Sequence, residues 1–259
     1  ATPVLEPETV ATADAVGRVL AEPVASGRTL PPADCSAMDG YAARRADLES
    51  ASRDAPGALR VVYEVAAGSQ APRALAAGES ARIFTGASMP DGADAVVMQE
   101  NCSVSGDRVI ILQSVEPGEN LRRAGEDIKT GATLFEAGHR LRSQDIGLIA
   151  SLGIAEVTLT RRLRIALMTT GDELVQPGTK LKPGQIYNSN FYSLSSLLQA
   201  FDAEIVDLGV VGDDFESTRQ ALAAAAKSVD CIISTGGVSV GEEDHVRAAV
   251  EAEGSLDLW

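Results

Sequence analysis

Apolar positions change their period several times along the chain, and each change marks a different kind of element. Val16, Val19 and Leu20 fall at helical spacing behind Thr12, a residue suited to cap a helix start, so the spacing predicts a helix over Thr12–Ala21. Pro23, Pro31 and Pro32 then forbid a regular helix and extend the chain toward Asp34-Cys35-Ser36-Ala37-Met38-Asp39-Gly40-Tyr41. Between about 42 and 121 the pattern turns to short β-favouring runs, Leu59–Val65, Ala81–Thr85, Ala95–Gln99 and Arg108–Val115, separated by Gly, Pro and Asp. A helix is predicted from Ser143, as N-cap, to Leu152, with Gly153 as its stop and a strand over Ala155–Thr160.

From Arg164 onward strand and helix alternate. Strands are predicted at Arg164–Thr169, Glu204–Val210 and Cys231–Ser234, and helices at Ser189–Phe201, Phe215–Lys227 and Glu243–Glu253; Ser255–Trp259 reads as one further strand beginning. Such alternation implies parallel strands joined by right-handed crossovers, hence an open α/β sheet. The expected fold is therefore multidomain α/β plus β. A helical and extended domain (1–41 and 122–162) carries an inserted β domain (42–121) and is followed by an open α/β domain (163–259). About four strands fall short of an average sheet, so the α/β domain is expected to continue in a longer protein. The start, Ala1 rather than Met, is expected to be processed or incomplete. No internal repeat was found.

Composition narrows the function classes. An apolar share of 45% suits a globular protein, and no apolar run approaches the roughly 18 residues that cross a bilayer. A net charge of −15 disfavours nucleic-acid backbone as a partner. Cys35, Cys102 and Cys231 are odd in number, far apart and without ligand spacing, which fits a reduced cytoplasmic protein. With only His139 and His245 in the chain, a hydrolytic triad is not expected.

Ligands of open α/β sheets bind beyond the carboxyl ends of the strands. Two loops there stand out, Thr170-Gly171-Asp172-Glu173-Leu174 and Thr235-Gly236-Gly237-Val238-Ser239-Val240-Gly241-Glu242-Glu243-Asp244. Their glycines let backbone amides approach a phosphate, and a helix N-terminus following the second loop favours an anion. Glu173 and Asp244 would repel that anion directly, a conflict that a divalent cation resolves, with Asp213 on the same rim. Each acid also has a purely structural reading: Asp213-Asp214 can cap a helix, and Glu243 and Asp244 can favour a helix start. The glycine loop lacks the Lys-Ser/Thr ending of a nucleotide P-loop, and by pattern alone the favoured reading is a tight strand-to-helix turn. Asp39-Gly40 and Asp91-Gly92 are turn dipeptides by the same physics.

Together the strings Ser36–Ala42, Thr85–Val97, Gly125–Ile128, Ile149–Glu156, Thr170–Leu174 and Gly236–Asp244 resemble the molybdopterin molybdenumtransferase family, which includes the C-terminal domain of gephyrin. The match runs over nearly the whole chain. The resemblance implies a homodimer with active sites shared across subunits, acting in the cytoplasm. It also implies transfer of molybdate molybdenum into adenylylated molybdopterin with release of AMP, the last step of molybdenum cofactor biosynthesis, with a molybdopterin-adenylylating protein as candidate partner. Asp39, Thr85, Asp127, Glu173, Asp213 and Asp244 are the implied catalytic set. Of these, Glu173, Asp213 and Asp244 would hold magnesium (Mg2+), while Thr170, Gly171, Gly236, Gly237 and Ser239 would line the pterin ligand. Family members continue beyond the equivalent of Trp259 with a Pro-Gly-Lys loop, so this chain alone is expected to be inactive. The alternatives are a gephyrin-like dimeric scaffold and a CinA-like nucleotide hydrolase on the same α/β module; the hydrolase lacks the Ser36–Ala42 and Thr85–Val97 strings.

Overall fold

Two units, each with its own sheet, account for the chain in the computed structural model, which describes residues 5–236 and 245–256. The first unit joins Ala1–Glu22 to Glu136–Trp259, and the second is Pro23–Phe135.

In the second unit six strands form one sheet in the spatial order Ala95–Met98, Gly40–Ala43, Glu79–Ile83, Gly57–Val65, Arg108–Ile111, Cys102–Ser105. Only Gly57–Val65 and Glu79–Ile83 run parallel; the other neighbours are antiparallel. Successive side chains of a strand point to opposite faces, and here both faces are covered. Tyr41, Ala43 and Val97 enter one core with Leu59, Val109 and Ile111, while Ala42 and Val96 enter another with Val65, Ala81 and Ile83. That double burial explains why these strands read as apolar runs rather than as alternating patterns. Short antiparallel pairs, Leu121–Arg122 with Cys35–Ser36 and Thr133–Phe135 with Val24–Ala25, complete the unit.

A buried carboxylate ties the parallel pair together. Glu79 is 7% exposed and accepts hydrogen bonds from Arg60 at 2.7 Å, Arg73 at 2.6 Å and the Ala76 amide at 3.1 Å. The Arg73 guanidinium above all, with the Ala76 amide and Arg60, lowers the Glu79 carboxyl from 4.5 to about 2. Because the folded value lies below the unfolded one, this contribution is fully present above pH 4.5 and disappears as pH falls through about 2. Glu79→Gln should therefore flatten the acid limb of the stability curve between those values. An unchanged acid-unfolding profile by circular dichroism would remove Glu79 as its source.

In the first unit, Pro7–Ala11 pairs antiparallel with Glu156–Thr160, and the helix Ser143–Ser151 lies in the chain between them. Its N-cap is Arg142 rather than Ser143, which is the first helical residue. The buried Asp145 carboxylate accepts from the Arg142 amide at 2.9 Å and from both Nε and Nη2 of the Arg142 guanidinium at 3.0 Å. Gly153 ends the helix at φ 75°. The helix expected over Thr12–Ala21 does not form. Only a single 3-10 turn, Thr12–Asp14, is present; Gly17 takes φ 81°, Val16 is 53% exposed, and Val19 and Leu20 instead make β-bridges to Arg140 and Leu159. A left-handed glycine interrupts the helical path, and the helical spacing of the valines was coincidental.

The α/β part has Arg164–Thr170 as the central strand, parallel to Glu204–Val211 on one side and Cys231–Thr235 on the other. Ile165, Ala166, Leu167 and Met168 are all buried, as a strand covered on both faces requires. Helices Ser189–Ala200, Phe215–Ala225 and Val246–Glu253 follow the strands, and Leu222, Val246 and Ala249 pack with Met168 and Val211. The last helix is described only from its N-cap His245 onward; of the further strand expected at 255–259, residues 255 and 256 are not in a strand and the rest lies outside the described residues. Among the described residues no helix is long and apolar enough to cross a membrane.

Candidate functional site

Three loops leave the carboxyl edge of the parallel sheet, and the described site residues of the α/β part all lie on them or at the strand ends. The central strand ends at Thr170 and runs into Gly171, which takes φ 140°; a Cβ there would lie 2.6 Å from Glu173 Oε2. Glycine at 171 thus lets the Glu173 carboxylate fold back over the strand end. On the neighbouring strand Gly236 takes φ 102°, and a Cβ there would lie 2.4 Å from Thr170 Oγ1. The structure therefore brings Thr170, Gly171, Glu173 and Gly236 together at adjacent strand ends. Gly237, Ser239 and Asp244 lie outside the described residues.

Asp213 joins the edge through the third loop. Its carboxylate accepts the Asp172 amide at 3.1 Å, and Asp172 accepts the Asp213 amide in return at 3.4 Å, so two loops lock each other. The next residue, Asp214, caps the helix Phe215–Ala225 by accepting the Ser217 amide at 2.9 Å. Of the two readings of Asp213-Asp214, the capping one thus belongs to Asp214 and leaves Asp213 on the rim. Beneath the rim, buried Asn188 donates to Thr169 Oγ1 at 3.0 Å and caps the helix Ser189–Ala200 by accepting the Phe191 amide. Asp172 and Asn188 were not singled out from sequence, although Asp172 stands inside a string that was.

The donor atoms on this rim are carboxylate and hydroxyl oxygens, the set that suits a hard cation such as magnesium. Among the described residues no three acids or other metal-ligating side chains lie close enough together to hold a metal on their own.

The remaining candidate residues belong to the second unit. Asp39 Oδ1 accepts both the Thr85 amide and the Thr85 hydroxyl at 2.8 Å, and these two bonds hold the Asp39 carboxyl below the usual carboxylate range. Arg82 stands close by, donating to the Gly40 carbonyl at 3.2 Å and stacking on Tyr41 and Phe84 at 5.0 Å. Asp127 is gripped by Arg122, whose Nη2 lies 2.5 Å from both carboxylate oxygens. Arg123 binds Asp34 at 2.6 Å, and Cys35 bridges to Ser88 on one side and pairs with Arg122 on the other. The strings around residues 36, 85 and 125 are thus stitched into one surface. Sequence reading singled out Asp39 and Asp127 on this surface but not Asp34 or the arginines; the signal was the Arg122-Arg123 pair directly before Gly125-Glu126-Asp127.

Residues 1–153 match the family model described as "MoeA N-terminal region (domain I and II)", and residues 166–258 match "Probable molybdopterin binding domain". The chain is 39% identical over 247 residues to the molybdopterin molybdenumtransferase of Haemophilus influenzae, covering 95% of this chain and 60% of that one. With the enzyme of the same name from Nostoc it shares 41% identity over 239 residues, covering 92% and 55%. A solved molybdopterin biosynthesis moeA protein from Pyrococcus horikoshii is similar at a TM-score of 0.85 and 36% identity, covering 89% of this chain and 62% of that one. The chain therefore spans about three-fifths of the length of the relatives it matches.

Proposed function

Because the chain belongs to the MoeA family of molybdopterin molybdenumtransferases, we propose that the complete protein inserts molybdenum from molybdate into adenylylated molybdopterin and releases AMP. The observation that supports this reading is the carboxyl edge of the α/β sheet, where two positive-φ glycines, Gly171 and Gly236, and the oxygens of Thr170, Glu173 and Asp213 converge. The missing side chains at Gly171 and Gly236 let the Glu173 carboxylate and the Thr170 hydroxyl close over the two strand ends, which sets oxygen donors where a cation and its phosphate would bind. Glu173 and Asp213, with Asp244, would hold magnesium, which when bound would neutralise phosphate charge at the nucleotide anhydride. The substrate's own sulfurs take the molybdenum, so no protein nucleophile is needed.

Asp39, Thr85 and Asp127 supply the second half of the proposed site, from the partner subunit of a homodimer. Thr85 fixes the Asp39 carboxylate as an ionised acceptor, and the Arg122 guanidinium holds the Asp127 carboxylate in place. A protein that adenylylates molybdopterin is the proposed source of substrate, and the cytoplasm the proposed place of action.

The test is release of AMP from adenylylated molybdopterin by the full-length protein, dependent on molybdate and magnesium. Glu173→Gln and Asp213→Asn should each raise the magnesium concentration for half-maximal release by about tenfold or more. Release with unaltered magnesium dependence in both variants would take these acids out of the site.

A further inference from the structure

At the opposite, amino end of the parallel sheet lies a concavity that the transfer reaction leaves unused. The central strand is seven residues long, so about 20 Å separates this end from the loops at the carboxyl edge. The cavity has a volume of about 210 Å³, and four arginines, Arg18, Arg140, Arg161 and Arg162, contribute to its wall. Arg18 is buried and paired with Glu8 and Asp202, Arg161 pairs with Asp230 at 2.6 Å, and Arg162 pairs with Asp202 at 2.9 Å. Three of the four guanidinium groups are thus paired with carboxylates, and Glu6 and Glu204 add negative charge near Arg161, in a chain whose net charge is −15.

Arg140 stands outside these ion pairs. Among the described residues it has no acidic partner, and it bonds only through Nε to the Gly17 carbonyl at 2.8 Å, which leaves its two terminal nitrogens for a ligand. Arg162 likewise engages Asp202 through Nε. Guanidinium forks match the oxygens of a phosphate. Beside them, Phe201 is 65% exposed and Leu163 43% exposed, so the charged wall adjoins an apolar one. We propose that this cavity binds a phosphate monoester carrying a small aromatic or apolar group, with Arg140 and Arg162 on the phosphate and Phe201 and Leu163 against the group.

Asp202 is the built-in competitor. It sits at φ 62°, just past the helix Ser189–Ala200, a position that glycine usually fills. Its carboxylate spans Arg18 and Arg162, so it occupies part of the positive field that an incoming anion would use. Asparagine also tolerates this backbone, and Asp202→Asn therefore removes the competitor without changing the turn.

Calorimetric titration of the full chain with phenyl phosphate, and separately with inorganic phosphate, tests the site. Saturable binding is expected, weakened about tenfold or more by Arg140→Ala, strengthened several-fold by Asp202→Asn, and weakened by raised salt. Phe201→Ala should weaken phenyl phosphate and leave inorganic phosphate unchanged. Arg140 and Phe201 are exposed, so both variants should keep the parent circular dichroism spectrum. Absence of saturable binding overturns the proposal. So does binding that Arg140→Ala leaves intact while Gly236→Ala abolishes it, which would put the anion at the carboxyl edge. The proposal stands apart from the transfer reading, and either can fail alone.

Discussion

Gly40→Ala should cost the second unit about 3 kcal/mol or more and lower its melting temperature by roughly 10 °C, because the added methyl meets backbone rather than a movable side chain. A Cβ at residue 40 would lie 2.0 Å from the Val97 carbonyl oxygen and 2.9 Å from its carbon. Gly40 pairs with Met98 and Tyr41 with Val97 in the antiparallel ladder, so the clash cannot be relieved without parting two strands of the six-stranded sheet. Those strands carry Tyr41, Ala42, Val96 and Val97 into both cores, and loosening them loosens both. Asp39 precedes the clash directly, so its paired bonds to Thr85 should weaken with it. Gly27→Ala is the comparator: nothing lies within 4 Å of a Cβ there, and its φ is not in the left-handed range. If the two variants melt within a degree or two of each other, the close approach at Gly40 does not constrain the sheet.

The same position shows what a sequence does and does not disclose. Asp39-Gly40 is a turn dipeptide by local rules, and nothing local says that residue 40 is glycine because a carbonyl 57 positions away in the chain presses on it. Elements whose burial is uniform were legible. Ile165–Met168 read as a strand because all four side chains are covered, and the helices after Ser189 and Phe215 carry caps at Asn188 and Asp214 of the expected chemical kind. Thr12–Ala21 was misread because a period of apolar residues cannot reveal that Gly17 turns left-handed or that Val16 faces solvent. Among the site residues, acids and glycines were visible as types in strings. Their partners were not, since Thr85 reaches Asp39 across 46 positions and Asp172 meets Asp213 across 41. Long-range pairing of this kind leaves no periodicity to read. Near pairs are hidden for another reason: Arg122 lies five residues from Asp127, but no helix or strand period predicts that contact.

Gly236→Ala should reduce binding of adenylylated molybdopterin to the full-length protein by about 100-fold or more, on the proposed reading, while the melting of the unit Pro23–Phe135 stays near that of the parent. Two separate costs meet at this residue. The backbone at φ 102° lies where L side chains are strained, and the new Cβ would lie 2.4 Å from Thr170 Oγ1 and 3.3 Å from the Thr170 carbonyl oxygen. Thr235 and Thr169 are paired in the parallel ladder, so displacement of residue 236 moves the end of the central strand and Thr170 with it. The double variant Thr170→Ala with Gly236→Ala separates the causes, because it removes the hydroxyl and leaves the backbone demand in place. Recovery of stability in the double variant would assign the damage to the Thr170 contact; a persistent loss would assign it to φ. Binding should remain poor in both, since the hydroxyl removed to relieve the clash is one of the proposed ligand contacts. Parent-like affinity in Gly236→Ala would mean that the ligand does not use this strand end, and the phosphate would then have to be held elsewhere on the α/β edge.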